Sequence, residues 1–353
     1  MLKRLLILIL ITACALDLKA QSSTLSLYAT PLKPTNLAKF NIPPGNYSGI
    51  TPLGNNLYAV VTDKAQTNGF YIFEILISEK GKITSVHNLG FRSDSIHTAP
   101  RDMEGIIYHP TRKTLFISAE SDQQILEYTL DGQLTGNRLN IPEQFSIQNI
   151  QPNYGFEALA YSPTTHLFWT TTENTLRSDL PSNPSNPSNP PNPSNPSSLS
   201  SPLGGWGASS TLRLQSFTED LQPFHQYIYQ TDAPTKLNKK HKHYAFGVPA
   251  ITALPDSTLL IIERELYVSK NYLSSSVTTK IYRITPAHDS KQKTLITKFR
   301  TPLHKLSNYE GMCLGPILPD GTQTLLLICD SQNRYGNSFY HLKDRLRLIL
   351  LSN

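Results

Sequence analysis

The chain lacks the short motifs that mark most enzyme classes. There is no G-x-S-x-G, no H-E-x-x-H, no G-x-x-x-x-G-K and no G-x-G-x-x-G. Their absence excludes a nucleophile elbow, a helical zinc protease, a phosphate-cradling loop and a dinucleotide fingerprint. Cysteine is scarce, with three in 353 residues. Cys14 lies near the amino terminus, and the spacing of Cys313 and Cys329 fits no zinc site. The latter two either pair or stay as buried free thiols, and free thiols are the expectation adopted. Histidine is scattered, and only His241 and His243 stand close enough to suggest a transition-metal pair. Few stretches repeat with helical periodicity. The formal net charge is a mild +6, with no basic tract carrying interleaved aromatics. No nucleic-acid partner is therefore expected.

Long apolar runs are also missing. The run Leu5 to Ile11 follows Lys3 and Arg4 and is too short to span a bilayer, which takes about 20 apolar residues. With Leu18-Lys19-Ala20 before Gln21 it reads as a signal peptide over residues 1–20, cleaved after Ala20. Ile11-Thr12-Ala13-Cys14 offers the competing outcome, a lipidated Cys14 and a membrane-anchored lipoprotein. Both readings export the protein to the periplasm or the extracellular space, and a membrane contact is expected only if Cys14 is lipidated. Residues 21–353 are expected to form one domain and to act as a monomer.

What is present is a phrase that recurs. A short apolar strand opens with Glu-Gly or a near relative, and a second strand then ends in a carboxylate. The five copies run from Ser48-Gly49-Ile50 to Asp63, from Glu104-Gly105-Ile106 to Glu120, and from Glu157-Ala158-Leu159 to Glu173. The last two run from Ala250-Ile251-Thr252 to Glu263 and from Glu310-Gly311-Met312 to Asp330. Segments rich in Val, Ile, Tyr, Phe and Thr, bounded by Gly, Pro, Asn or Asp, follow each copy. A repeat of about fifty residues built only from strands predicts a β-propeller with four strands per blade. The fifth repeat supplies only three strands, EGMCLG, TLLLICD and RLRLILLS, while TLSLYAT (Thr24 to Thr30) is left over. The expectation is that these two chain ends pair and close the ring. Five blades are counted, and six remain open if a diverged blade occupies residues 24–45 or 211–249.

The interval from Glu157 to Ala250 is far longer than that from Glu104 to Glu157. Residues 179–210 account for it, and their core SNPSNPSNPPNPSNPSS has no apolar side chain to bury. A disordered surface loop is expected there. Its Asn-Pro-Ser triplets are not glycosylation acceptors, since proline occupies the middle position.

In an antiparallel blade the start of the innermost strand and the end of the second share one rim. Glu104, Glu157 and Glu310, with Asp63, Glu120, Glu173, Glu263 and Asp330, are therefore expected at one end of the central channel. Carboxylates held together must be protonated, bonded, paired or bound to metal. A hard cation with many oxygen ligands suits them, and outside the cell that points to Ca2+. The metal-ligand set is Asp63, Glu104, Glu120, Glu157, Glu173, Glu310 and Asp330. The catalytic set is Glu104, Glu157, Glu263 and Glu310. Arg101, Arg264, Lys305 and Arg334 stand near the same rim and are the expected contacts for an anionic substrate. The competing explanation is that each innermost-strand glutamate accepts backbone N–H groups of the next blade and locks the ring.

Asp102-Met103-Glu104-Gly105-Ile106, Gly155-Phe156-Glu157-Ala158-Leu159-Ala160, Leu260-Ile261-Ile262-Glu263-Arg264 and Asn308-Tyr309-Glu310-Gly311-Met312 together resemble the signature blocks of the phytase-like domain family, described as having esterase-like activity of phytase. The resemblance covers about Tyr47 to Asp330. It implies a propeller and divalent-metal-assisted hydrolysis of a phosphate or other ester. Ala158 departs from the glycine of its block, and six blades would be the expectation from calcium phytases. Three functions follow: a calcium-dependent hydrolase of a small anionic ester, a lactonase-like propeller enzyme, and a non-catalytic binding or scaffold module.

Overall fold

The computed structural model describes residues 27–94, 99–180, 210–286, 292–332, 334, 336 and 341–352. The expected leader and most of the Ser-Asn-Pro segment lie outside the described residues.

Five antiparallel sheets follow one another as the blades of an all-β propeller. The first holds Tyr47–Gly54, Leu57–Thr62, Gly69–Ile77 and Ile83–Ser93 from the axis outward. The second holds Met103–His109, Thr114–Ala119, Ile125–Tyr128 and Leu134–Arg138. The third holds Phe156–Ser162, Leu167–Thr172, Thr211–Phe217 and Pro223–Gln230. The fourth, from His241–Ala253 through Leu259–Ser269 and Ser276–Ile284 to Lys293–Pro302, is the longest. The fifth has Asn308–Ile317, Gln323–Asp330 and Arg345–Ser352, and its outer strand is Tyr28–Pro31 from the other chain end. Tyr28 pairs with Ser352 and Pro31 with Ile349. The start of TLSLYAT lies outside the described residues. Residues 211–230 complete the third blade and 241–253 open the fourth, so one region suspected of hiding a sixth blade belongs to these two, while the described part of the other supplies Tyr28–Pro31 and Thr35–Asn36 to the fifth. The Ser-Asn-Pro segment falls between the second and third strands of the third blade.

Most of the core lies between blades. Ile328 and Leu326 pack toward the first blade with Ile50 and Val60. Their neighbours Leu325 and Leu327 pack toward the fourth with Leu260 and Ile262. This is why second strands read as unbroken apolar runs: each is sandwiched on both faces. The same alternation separates the two cysteines. Cys313 faces the first blade and Cys329 the fourth, and both are free and buried.

The glycine of the recurring phrase has a packing cause. A Cβ on Gly49 would strike the carbonyl oxygen of Glu104, and one on Gly105 the carbonyl oxygen of Glu157, in both cases far inside van der Waals contact. On Gly311 it would approach the carbonyl oxygen of Ser48 to 2.5 Å. Each innermost strand thus lies against the backbone of the next, the fifth against the first.

Candidate functional site: an acid ring with one buried arginine

Pairing between first and second strands shifts register at the same place in every blade. The irregularities lie between Tyr47 and Ile50, Met103 and Ile106, Phe156 and Ala158, Gly247 and Ala250, and Tyr309 and Gly311. Glu104, Glu157 and Glu310 sit within these bulges, and a bulge re-aims a side chain. With Ser48 and Pro249 from the other two blades they line the neck of the central channel.

Register also decides which second-strand residue joins them. Ile50 pairs with Val60, Ile106 with Ile117, Leu159 with Thr170, Ile251 with Ile261 and Met312 with Leu327. Counting on equally from each pair reaches Asp63, Glu120, Glu173, Arg264 and Asp330. The fourth blade therefore contributes Arg264 where the others contribute an acid. This corrects the placement expected for Glu263. A step of one residue turns a side chain to the other face of a strand. Glu263 accordingly accepts from Tyr229 Oη at 2.8 Å and from the Asp232 amide at 3.0 Å, and it pairs with Lys293, all away from the channel neck.

Arg264 is 2 % exposed. Its Nη2 pairs with Glu173, its Nη1 lies 3.4 Å from Glu310 Oε1, and the same nitrogen donates to Asn308 Oδ1 at 3.2 Å. It joins the third, fourth and fifth blades. Burial opposes its charge, but Glu173, Glu310 and Glu157 outweigh that and raise its pKa further. The other three basic residues expected at the substrate stand elsewhere. Arg101 is fixed in the second blade, with Nε 2.5 Å from Asp122 Oδ2 and Nη1 donating to Tyr128 Oη at 3.0 Å. Lys305 is exposed, and its carbonyl accepts from Arg345 Nη1 at 2.9 Å and from Ser307 Oγ at 3.0 Å. Arg334 is exposed and acts at a distance on Asp344.

Two residues at the ring were missed. Asp102 opens the block Asp102 to Ile106 and lies outside the expected set of site acids, and Lys64 directly follows Asp63. Both adopt left-handed backbone, φ 59° and 54°, a conformation costly for residues other than glycine. Lys64 Nζ lies 2.8 Å from Asp63 Oδ2, and the Lys64 amide donates to Asp102 Oδ1 at 3.1 Å. One carboxylate oxygen each from Asp63, Asp102 and Glu104 lie within 4.8 Å of one another. Asp63 Oδ1 and Glu157 Oε2 are buried and receive no N–H or O–H donor among the described residues.

The remaining acids have partners. Glu120 Oε1 accepts the Gly155 amide of the third blade at 2.7 Å. Glu310 Oε1 accepts from Asn308 Nδ2 at 2.6 Å, and Asp330 Oδ1 from the Gln332 amide at 2.6 Å. An interblade lock does exist, but at Glu120, directly after the second strand of its blade. No backbone N–H among the described residues reaches Glu104 or Glu157.

Lys64 and Arg264 stand against eight acids, and the carboxyl groups respond. Burial pushes Glu104 well above the carboxylate range, and Asp63, Glu120 and Glu310 add to it. Burial and then Glu173 do the same to Glu157. Burial raises Asp330, with Glu310 adding to it. Asp63 rises to about 8, from burial and the facing Asp102 against the pull of Lys64. Glu173 rises to about 7, because burial exceeds the opposing effect of Arg264. For Asp102 burial is outweighed by its bond with Asp63 and by Lys64, so it falls. Such a ring holds protons or a cation.

Two clefts open onto the acids. One of about 400 Å³ is bordered by Thr62, Asp63, Lys64 and Tyr71, and one of about 300 Å³ by Asp102, Glu120 and Arg177. At the other end the innermost strands enclose an apolar cavity of about 280 Å³, lined by Ile106, Tyr108, Tyr161 and Met312 among others.

The sequence pattern of the phytase-like family, described as esterase-like activity of phytase, matches residues 42–332. The chain belongs to this family. A search of curated proteins finds no match. Among solved structures, this phytase-like chain is similar to a PQQ-bound aldose sugar dehydrogenase from Streptomyces coelicolor, with 11% identity and TM-score 0.41, covering 92% of this chain and 98% of that one. It is similar to the catalytic domain of a GH62 alpha-L-arabinofuranosidase from Coprinopsis cinerea, with 10% identity and TM-score 0.45, covering 93% and 98%. A periplasmic gluconolactonase from Pseudomonas aeruginosa matches with 11% identity and TM-score 0.34, covering 83% and 70%. These likenesses are too distant to carry an argument, and the fold rests on the strand pairing above.

Proposed function

We propose that this phytase-like propeller is an exported hydrolase of a phosphate or other ester, dependent on a divalent cation that the acid ring holds, with Ca2+ as the ion. The observation that carries the reading is the convergence of one carboxylate oxygen each from Asp63, Asp102 and Glu104 within 4.8 Å, with Asp63 Oδ1 buried and without a donor among the described residues. A buried carboxylate oxygen without a donor is costly unless a proton or a cation meets it. An all-oxygen donor set suits a hard cation. Asp63, Asp102 and Glu104 would hold the ion, with Glu157 beside them. A bound cation would polarise the ester and lower the pKa of a bound water.

The chain's own residues supply the rest. Glu157, with its unpartnered Oε2, is the candidate general base. Lys64, whose side chain is 62% exposed beside Asp63, is positioned to meet an anionic group entering the adjacent cleft. Arg264 is too deeply buried to reach a substrate and is a positioning residue, pairing with Glu173 and lying beside Glu310. Glu263 has no part in this scheme because it faces away. The fifth blade, drawn from both chain ends, supports the inference that it closes the ring and so fixes the channel neck.

Calorimetric titration with calcium, together with hydrolysis of a panel of phosphomonoesters and lactones with and without chelator, tests the reading. Calcium binding and chelator-sensitive hydrolysis are expected. A lactone preference would move the activity to the lactonase class, and no calcium heat would remove the metal. One observation favours the scaffold alternative: Glu120 spends an oxygen on the Gly155 amide, so part of the ring is structural. A scaffold would bind no calcium there.

A further inference from the structure

The face of the fourth blade turned toward the third carries a second charged feature, which meets the acid ring at Arg264. Cross-strand register aligns Glu263 with Lys280 and Lys298 in one row, and Glu265 with Thr278 and Arg300 in the next. With Lys236 from the connection between the blades, these rows border a cleft of about 250 Å³.

The acids of this cleft are already engaged. Glu265 Oε1 accepts the amides of Thr235 and Lys236, both at 2.7 Å, and its Oε2 accepts from Thr235 Oγ1 at 2.6 Å. Glu263 is held by Tyr229, the Asp232 amide and Lys293. Asp232 pairs with Lys280, and its other oxygen lies 2.8 Å from Lys293 Nζ. The cations are not balanced in return. Among the described residues no carboxylate lies within salt-bridge distance of Lys236, Lys298 or Arg300. Lys298 and Arg300 are exposed on the outer strand. Lys236 is half-buried, with Nζ 2.9 Å from Ser276 Oγ and over the Tyr267 ring. Burial, then Arg300 and Lys239, hold its pKa below the usual lysine value, and Glu265 opposes them without reversing the shift.

A concave site with surplus cations, engaged acids and a hydroxyl beside the innermost ammonium suits an anion. We propose that this interblade cleft binds a small ligand through a phosphate or carboxylate group, with Lys236, Lys298 and Arg300 as its contacts. The site does not depend on the acid ring or on a metal, so it stands or falls apart from the hydrolase reading.

The test is calorimetric titration of the full chain, in chelator and at low salt, with inorganic phosphate and separately with citrate. Wild type is compared with Lys298→Gln, Arg300→Gln and the double variant. Both positions are exposed on an outer strand, and unchanged melting temperatures will show that the variants fold. Saturable binding of at least one anion is expected, weakened about tenfold to a hundredfold in the double variant, as loss of charge-assisted bonds implies. Added salt should weaken it too, since exposed charges are screened. Preference between the two anions identifies the group recognised. Absence of binding by both, or equal affinity in wild type and the double variant, overturns the proposal. Should the double variant unfold, either single variant with unchanged affinity for the anion that binds would overturn it equally.

Discussion

Arg264 Nη1 lies 3.4 Å from Glu310 Oε1, joining the fourth blade to the fifth at the channel neck while Nη2 reaches Glu173 of the third. The arginine occupies the register position that carries an acid in every other blade. It makes the ring asymmetric: its side is compensated by a fixed cation. Among the described residues, the Asp63, Asp102 and Glu104 side has only the largely exposed Lys64.

Removing that cation should be costly. Arg264→Met leaves Glu173 and Glu310 buried without their partner, and breaking a buried pair from one side destabilises by about 3–5 kcal/mol. Thermal melts should show a large loss, partly recovered when Glu173→Gln and Glu310→Gln are added. Arg264→Met with an unchanged melting temperature would show that the pairs contribute nothing.

Calcium should stabilise the wild type, since a ligand that binds only the native state adds about 2.7 kcal/mol at a hundredfold excess over its dissociation constant. Asp63→Asn and Glu104→Gln should abolish this shift, and Glu310→Gln should reduce it. Glu263→Gln loses its contact with Lys293 but should keep the full calcium response, because it faces the other way. Melts of the five proteins with calcium and with chelator make the comparison. A wild type indifferent to calcium leaves the scaffold reading in place of the hydrolase.

Stability without metal should fall as pH rises. Asp63 and Glu173 are raised to about 8 and about 7, from ordinary values of 3.8 and 4.5. The folded protein therefore holds more protons than the unfolded chain between those limits, and stability falls with pH there. The contribution is complete below about pH 4 and is lost by about pH 8. Asp102, held low, acts with the opposite sign, and only below its ordinary 3.8. Melting temperatures in chelator should decline from pH 5 to pH 9, and calcium should flatten the decline by replacing the protons. A rise over that range in chelator would contradict the assignment of raised pKa values.

Deleting residues 27–31 removes the outer strand of the fifth blade and exposes the edge of Arg345–Ser352. Open edges invite strand pairing with other chains. The truncated protein should melt lower and aggregate on concentration, as seen by scattering. Unchanged melting and solubility would mean that this strand contributes nothing to the sheet.

The recurring phrase by itself determined the all-β class and the pairing of the two chain ends, and it narrowed the blade count to five or six, between which the strand pairing decided. Strand composition, turn residues and the spacing of copies are local, and a repeat multiplies a weak signal. It also determined that Glu104, Glu157 and Glu310 share the channel neck, because antiparallel neighbours bring strand starts and ends to one rim. What the sequence could not decide was register. The string Leu260 to Arg264 offers an acid and a cation side by side, and matching acid to acid selected Glu263. Only the pairing of Ile251 with Ile261, after the irregularity between Gly247 and Ala250, turns Arg264 inward and Glu263 away. Lys64 and Asp102 were hidden for a related reason: left-handed backbone at loop positions sets where they point, and no periodicity encodes that. The charge balance of the cleft between the third and fourth blades is likewise a property of tertiary structure. It depends on which of Asp232, Glu263 and Glu265 already hold donors, and those donors come both from the connection holding Asp232, Thr235 and Lys236 and from Tyr229, Lys280 and Lys293 on three different strands.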